Sequence, residues 1–262
     1  MKRSRNIPLA VGLLVGALLT AGVGLALIQA PYGAAQSQGP LLQYPAYPPT
    51  PTIGPNPTTP PQLADAGIVL AQSDFADASA LGAWEFVDQT FVLTDMQGRW
   101  VLADGRLVQD YAGRVRNPSI QEVAALTGDA AWGDYTAQVS FYDEFNGTAG
   151  LIARYTGADP LTASYYRVRV LKETFPATPK LVLERVDQGV ARSLVEITGP
   201  GFRERAWHQL GLAVHGGSLQ VTLDGQVVAE ANEAAPLPAG RAGIYTRASG
   251  GILFDDFLVT AP

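Results

Sequence analysis

The chain contains no cysteine. That excludes disulfide staples, thiol nucleophiles and attachment of lipid to a cysteine, and it is compatible with an extracytoplasmic setting. Histidine is nearly missing: His208 and His215 are the only two. Seven residues apart on one strand they point to opposite faces, so they cannot share a metal or a substrate. The sequence also lacks HExxH, GxSxG and a glycine-rich phosphate loop. Charge is absent from Asn6 to Ala64. Beyond that stretch positive charge is scarce: the 18 basic residues include Lys2, Arg3 and Arg5, and the other 15 face 24 acidic ones, a balance of −9. With no basic stripe, nucleic acid is not an expected partner. A sustained 3.6-residue apolar period is missing as well; the best helical stretch, residues 118–128, is short.

What is present divides the chain into three. Lys2, Arg3 and Arg5 precede an apolar run, Ile7 to Ile28, of 22 residues. A cleavable signal has an apolar region of about 7–15 residues and a spanning helix needs about 20. The length predicts a transmembrane signal anchor over residues 1–30, with the N-terminus cytoplasmic and the rest outside the cell membrane. The alternative is cleavage after Ala35, which releases a secreted protein. Ten of the 19 prolines lie between Pro31 and Pro61. Proline fixes φ and withholds a donor, so residues 31–64 read as a disordered, extended stalk. Residues 65–262 are long enough for one domain with its own core.

That domain alternates with period two. Tyr135, Ala137, Val139 and Phe141 fall on one face of a strand, with Thr136, Gln138, Ser140 and Tyr142 on the other. Tyr166, Val168 and Val170 alternate with Tyr165, Arg167 and Arg169. Turn signals stand at Ala103–Gly105, Asp187–Gly189, His215–Gly217 and Leu223–Gln226. About a dozen short strands with regular turns predict an all-β, two-sheet antiparallel β-sandwich.

The succession "WGDYTAQVSF", "GLIARYT", "YYRVRV", "LVLERV", "WHQLGLAVHGGSLQVTLDGQVV", "LPAGRAGIYT" and "FDDFLV" resembles the concanavalin A-like jelly rolls. It is most similar to the laminin-G-like and 3-keto-disaccharide hydrolase-like domains, over about residues 67–261. The resemblance implies two curved sheets with ligands, often sugars, on the concave face. Some members hydrolyse glycosides and many only bind. Fold alone does not choose between these.

Glycosidases of this fold in family 16 carry Glu-x-Asp-x-x-Glu on one strand, and the sequence has no such motif. Glu184 and Asp187, three apart, point to opposite faces of a regular strand. Asp255 and Asp256 are neighbours, so a regular strand puts them on opposite faces too: Phe254, Asp256 and Leu258 against Leu253, Asp255, Phe257 and Val259. The expected reading of the pair is a hydrogen-bonded strand end. The alternative, which related sandwiches suggest, is a structural Ca²⁺ held by Asp74, Asp255 and Asp256.

If the central strands are neighbours, their outward faces collect Gln138 and Tyr142, Arg154, Tyr165, Arg167 and Arg169, and Glu184. Aromatic rings for the C–H surface of a sugar and fixed polar groups for its hydroxyls make this a candidate carbohydrate site. Trp132, in a loop, is the candidate platform. Arg154, Tyr165 and Tyr166 also match positions in the resembling domains. The competing reading is a solvent face in which Arg167 and Arg169 pair with Glu184 across strands. The function expected from the sequence is non-catalytic binding of a carbohydrate or cell-surface glycan. The alternatives are a glycoside hydrolase of the 3-keto-disaccharide type and a structural or adhesive module that binds protein.

Overall fold

The computed structural model describes residues 67–89, 98–111, 122–143, 147–171, 179–199, 201–247 and 251–262. The expected anchor and stalk lie outside them. Among the described residues no helix is long and apolar enough to cross a membrane.

Among the described residues fifteen strands run in chain order: β1 (Ile68–Ser73), β2 (Glu85–Asp88), β3 (Arg99–Ala103), β4 (Arg106–Tyr111), β5 (Glu122–Thr127), β6 (Tyr135–Tyr142), β7 (Thr148–Thr156), β8 (Ser164–Leu171), β9 (Lys180–Asp187), β10 (Val190–Thr198), β11 (Trp207–His215), β12 (Ser218–Leu223), β13 (Gln226–Asn232), β14 (Arg241–Arg247) and β15 (Ile252–Ala261). One 3₁₀ turn, Ala78–Ala83, follows β1, with Asp77 at its N-cap accepting from Ser79 N. The strands form two antiparallel sheets. One has the order β13-β12-β11-β6-β15-β4-β3, with β1 also on β15; the other has the order β10-β9-β8-β7-β14-β5-β2. The predicted two-sheet sandwich is therefore the fold.

Local chemistry sets the hairpins. At Asp104-Gly105, Gln188-Gly189 and Asp224-Gly225 both central residues have positive φ, the two-residue turn whose twist matches that of its flanking strands. The side-chain period of two then sorts the faces. Tyr135, Ala137, Val139 and Phe141 from one sheet and Tyr166, Val168 and Val170 from the other are fully buried in one core. Burying each large apolar side chain is worth about 1.5–3 kcal/mol.

The best helical stretch of the sequence, residues 118–128, contains β5, which lies between β14 and β2 and is buried on both faces; two partner strands outweigh a weak helical pattern. The four strands thought to share one outward face do not. β6 belongs to the eight-stranded sheet and β7, β8 and β9 to the other. Gln138 and Tyr142 are thereby separated from Tyr165, Arg167, Arg169 and Glu184 by the thickness of the sandwich.

Candidate functional site

In β8 the inward residues enter the core, which leaves Tyr165, Arg167 and Arg169 facing out from the seven-stranded sheet. β9 puts Glu184 directly opposite Arg167. Arg167 Nε donates to Glu184 Oε2 at 2.9 Å and its Nη1 donates to Glu122 Oε2 at 2.6 Å. Arg169 donates through Nε and Nη2 to both oxygens of Glu184, at 3.0 and 2.6 Å. β14 supplies Tyr245, whose ring lies 4.6 Å from the Arg167 guanidinium carbon, with Tyr165 at 5.9 Å. Tyr165 Oη bonds Gln89 Oε1 at 3.1 Å.

The ion cluster has apolar neighbours on this outward face. Ala124, Leu126, Ile152, Tyr155, Tyr165, Val186 and Tyr245 make a second buried apolar cluster, separate from the inter-sheet core. Removal of charges from water is costly unless they are paired, and the bridges answer that cost. Burial pushes the Glu184 carboxyl upward, but Arg167 and Arg169 outweigh it and hold the group below the usual carboxylate range. Burial moves the Tyr165 phenol up to about 12 and drives the Tyr245 phenol further in the same direction. The rim is more open: the Arg169 side chain is 13% exposed and that of Glu122 19%. Among the described residues, the fully buried Tyr245 Oη and Gln89 Nε2 meet no hydrogen-bond partner.

Arg154 is not part of this cluster. It sits in a bulge of β7 with φ 53°, and the bulge turns its side chain towards the loops at one end of the sandwich. There it donates to the carbonyls of Gly133, Gly216 and Leu237 at 2.9, 2.9 and 3.0 Å, and pairs with Asp134 at 3.0 Å. Trp132 packs edge-on against Tyr135, ring centroids 6.0 Å apart, and covers Gly128. Gln138 and Tyr142 lie on the outward face of the eight-stranded sheet, where Tyr142 meets Trp207 at 5.6 Å.

Asp255 and Asp256 occupy a bulge between β15 and β6, with Asp256 at φ 47°. The extra residue breaks the expected alternation: Phe254, Phe257 and Val259 all enter the core. Burial raises the Asp255 carboxyl to about 6, with Asp256 and Asp74 adding repulsion and Arg106, 3.7 Å away, opposing it. Asp256 is raised too, by burial and by Asp74. The three acids thus feel one another. Among the described residues no group of three or more His, Cys, Asp or Glu side chains is placed to hold a metal ion. A cleft of about 480 Å³ adjoins Asp74, bounded by Asp77, Trp84 and Phe257. His208 is used structurally, its Nδ1 2.7 Å from Asp224 Oδ2 and its Nε2 against the backbone of Arg203.

Glu122, Tyr245 and Gln89 were not among the residues singled out from sequence. Glu122 sat in the stretch with helical pattern, and Tyr245 in a strand whose neighbours only the topology reveals. A charged residue heading an apolar run was the one signal for Glu122.

A family model described as the 3-keto-alpha-glucoside-1,2-lyase-like domain matches residues 71–257. The chain belongs to the 3-keto-alpha-glucoside-1,2-lyase-like domain family. Solved structures with the same fold are distant in sequence. A CBM66 carbohydrate-binding module from Bacillus subtilis is 16% identical with a TM-score of 0.50, covering 67% of this chain and 95% of the module. A Bacillus subtilis protein of unknown function with a galectin-like fold is 12% identical, TM-score 0.59, covering 75% and 97%. A beta-glucanase from Bacillus licheniformis is 12% identical, TM-score 0.51, covering 76% and 100%. The comparison with curated proteins gave no match. Membership in this lyase-like family agrees with the resemblance read from the strand motifs. The fold it brings is one that both sugar-binding and sugar-cleaving proteins use.

Proposed function

We propose that the protein binds carbohydrate, without cleaving it, on the outward face of the seven-stranded sheet around Arg167, Arg169 and Glu184. Residues 7–28 would hold it at the membrane and residues 31–64 would space the domain away on the outer side. The observation that carries the binding reading is a face holding an ion cluster with a partly exposed rim at Arg169 and Glu122, beside two tyrosine rings. The likeness in fold to a carbohydrate-binding module supports the same reading.

Against catalysis at this face, Glu184 is committed to two guanidinium groups and held in its ionised form. A carboxylate so stabilised is a weak base and has no proton to give. The test is a glycan array with the purified chain, in which Arg169→Ala removes the hits; a wild-type array without hits refutes the reading. Fractionation and protease protection of intact cells check the tether: a domain recovered inside the cytoplasm rejects it.

Family membership favours a second reading, 1,2-elimination from a 3-keto-α-glucoside. The 3-keto group acidifies the C2 proton; a base takes it, the C1–O bond breaks, and the leaving oxygen takes up a proton. Glu122, at the exposed rim, is the candidate base. Mass spectrometry of 3-keto-glucosides incubated with the protein decides: an unsaturated sugar product, lost in Glu122→Gln, establishes it over simple binding.

A further inference from the structure

We propose that the cleft of about 480 Å³ beside β1 is a second ligand site and takes an amino sugar, its ring over Trp84 and its ammonium on the carboxylates of Asp74 and Asp77. The site is separate from the Arg167 cluster and does not rest on the reading of that face.

The cleft falls within the size of small-molecule sites, about 300–1,000 Å³, and shares their make-up of an apolar wall with a few polar groups. Its wall is aromatic and firmly held. Trp84 packs on Phe75 at 5.5 Å and edge-on against Phe257 at 4.8 Å. Behind it Thr127 Oγ1 donates to the carbonyl of Ala83 at 2.8 Å. The polar groups of the cleft are within reach of a ligand: Gln72, Asp74, Asp77 and Ser79 line it and are all exposed. Asp74 Oδ1 accepts the N–H of Ala76 at 3.1 Å, and Asp77 Oδ1 accepts that of Ser79 at 2.7 Å. These bonds orient the two carboxylates. The Ser79 side chain bonds Asp77 as well. An ionised carboxylate has about four acceptor positions, so both residues keep some for a ligand.

The lining selects the ligand's charge. Among the described residues that line the cleft there is no Lys, Arg or His, and two are acids. Asp74 also repels Asp255 and Asp256, and a cation bound at Asp74 relieves that repulsion. A donor with positive charge suits such a lining. Among the described residues no group of three or more His, Cys, Asp or Glu side chains is placed for a metal ion. An ammonium asks for less: it carries one charge and up to three N–H donors, which two carboxylates can accept in charge-assisted bonds. An exposed ion pair alone is worth little, and the indole supplies what it lacks. Tryptophan attracts a cation over its ring and packs against the C–H side of a sugar, while the Gln72 amide can both donate to and accept from ring hydroxyls. A neutral sugar leaves the carboxylate charge unused, and a linear amine has no ring for the wall.

The experiment is calorimetric titration of the full chain at mildly acidic pH, where the amines carry their charge. The ligands are a glucosamine oligomer, its N-acetylated counterpart of the same length, spermidine and calcium chloride. The expected result is that the glucosamine oligomer binds at least tenfold more tightly than any of the others. Asp74→Asn and Asp77→Asn each reduce that advantage, and the double variant removes it. Asparagine keeps an oxygen for the backbone N–H, and unchanged near-ultraviolet circular dichroism shows that the variants are folded. Glu196→Gln, an equal loss of charge on the edge strand β10, leaves the advantage intact, as does Arg169→Ala. Equal binding of the N-acetylated oligomer overturns the role of the ammonium, and equal binding of spermidine overturns that of the ring. Tight calcium binding that is lost in the double variant makes the cleft a metal site and overturns the proposal. An advantage that survives the double variant, or that Arg169→Ala removes, places the amino sugar elsewhere and overturns it too. No binding of the glucosamine oligomer overturns the cleft as its site and leaves the Arg167 face to the glycan array.

Discussion

The phenol oxygen of Tyr135 accepts the backbone N–H of Arg154 at 2.6 Å, deep between the sheets. The same phenol reaches the carbonyl of Arg241 at 3.1 Å. One side chain on the eight-stranded sheet thus serves the bulge of β7 and the start of β14 on the other. Tyr135→Phe leaves the Arg154 N–H buried without a partner and should cost about 1–3 kcal/mol. Urea denaturation checks this: the midpoint falls while the slope is unchanged.

The side chain of Arg154 satisfies three carbonyls from three separate loops. Arg154→Lys cannot reproduce this fork, because an ammonium is a single point on a flexible stem. Both Arg154→Lys and Arg154→Ala should lower the thermal midpoint. Neither should alter sugar affinity in protein that remains folded, since the residue lies away from the Arg167 cluster. A large loss of affinity in folded Arg154→Lys contradicts that placement.

Glu184 holds two cations, the buried Arg167 and the partly exposed Arg169. Glu184→Ala strands Arg167 with only Glu122 and should destabilise the fold by about 3–5 kcal/mol, the usual cost of removing one partner from a buried pair. Its contribution also has a definite pH sign. The folded-state carboxyl is held below its unfolded value, so the stability it gives is present above about pH 4.5 and is lost as pH falls through the depressed folded value. Acid melts of wild type and Glu184→Gln should therefore converge at low pH; parallel curves refute the assignment.

Asp255 has the opposite sign. Its folded-state carboxyl is raised to about 6 from 3.8, so the folded protein holds a proton there that the unfolded chain has released. Stability from this group is full below about pH 3.8 and declines as pH rises to about 6. Asp255→Asn should remove the decline and melt higher than wild type at pH 7.5. Thermal melts in EDTA at several pH values test this, free of any effect of added metal.

Gly128 has φ 94°, and a Cβ placed there falls 2.1 Å from the Trp132 ring. Gly128→Ala should displace Trp132 from Tyr135 and cost more than about 1 kcal/mol. A shift in tryptophan fluorescence should accompany the loss.

Much of this architecture was written in the alternation of residues. In β6 and β8 every second side chain is apolar, and the period of a strand sends those side chains to one side whatever the partner strand is. The hairpin at Asp187–Gly189, the face shared by Tyr165, Arg167 and Arg169, and the pairing of both arginines with Glu184 all follow from short-range pattern and local turn chemistry. Tertiary structure alone decided which strands became neighbours. β6 and β7 are consecutive in sequence but enter different sheets, which parts Gln138 and Tyr142 from Arg167. β5 and β14 bring Glu122 and Tyr245 beside it from far along the chain. The bulges that turn Arg154 away and let Phe254 and Phe257 both enter the core depend on one extra residue against a partner strand. Such an insertion leaves no mark in composition or period, because it is defined only by the register of two segments that meet when the chain is folded.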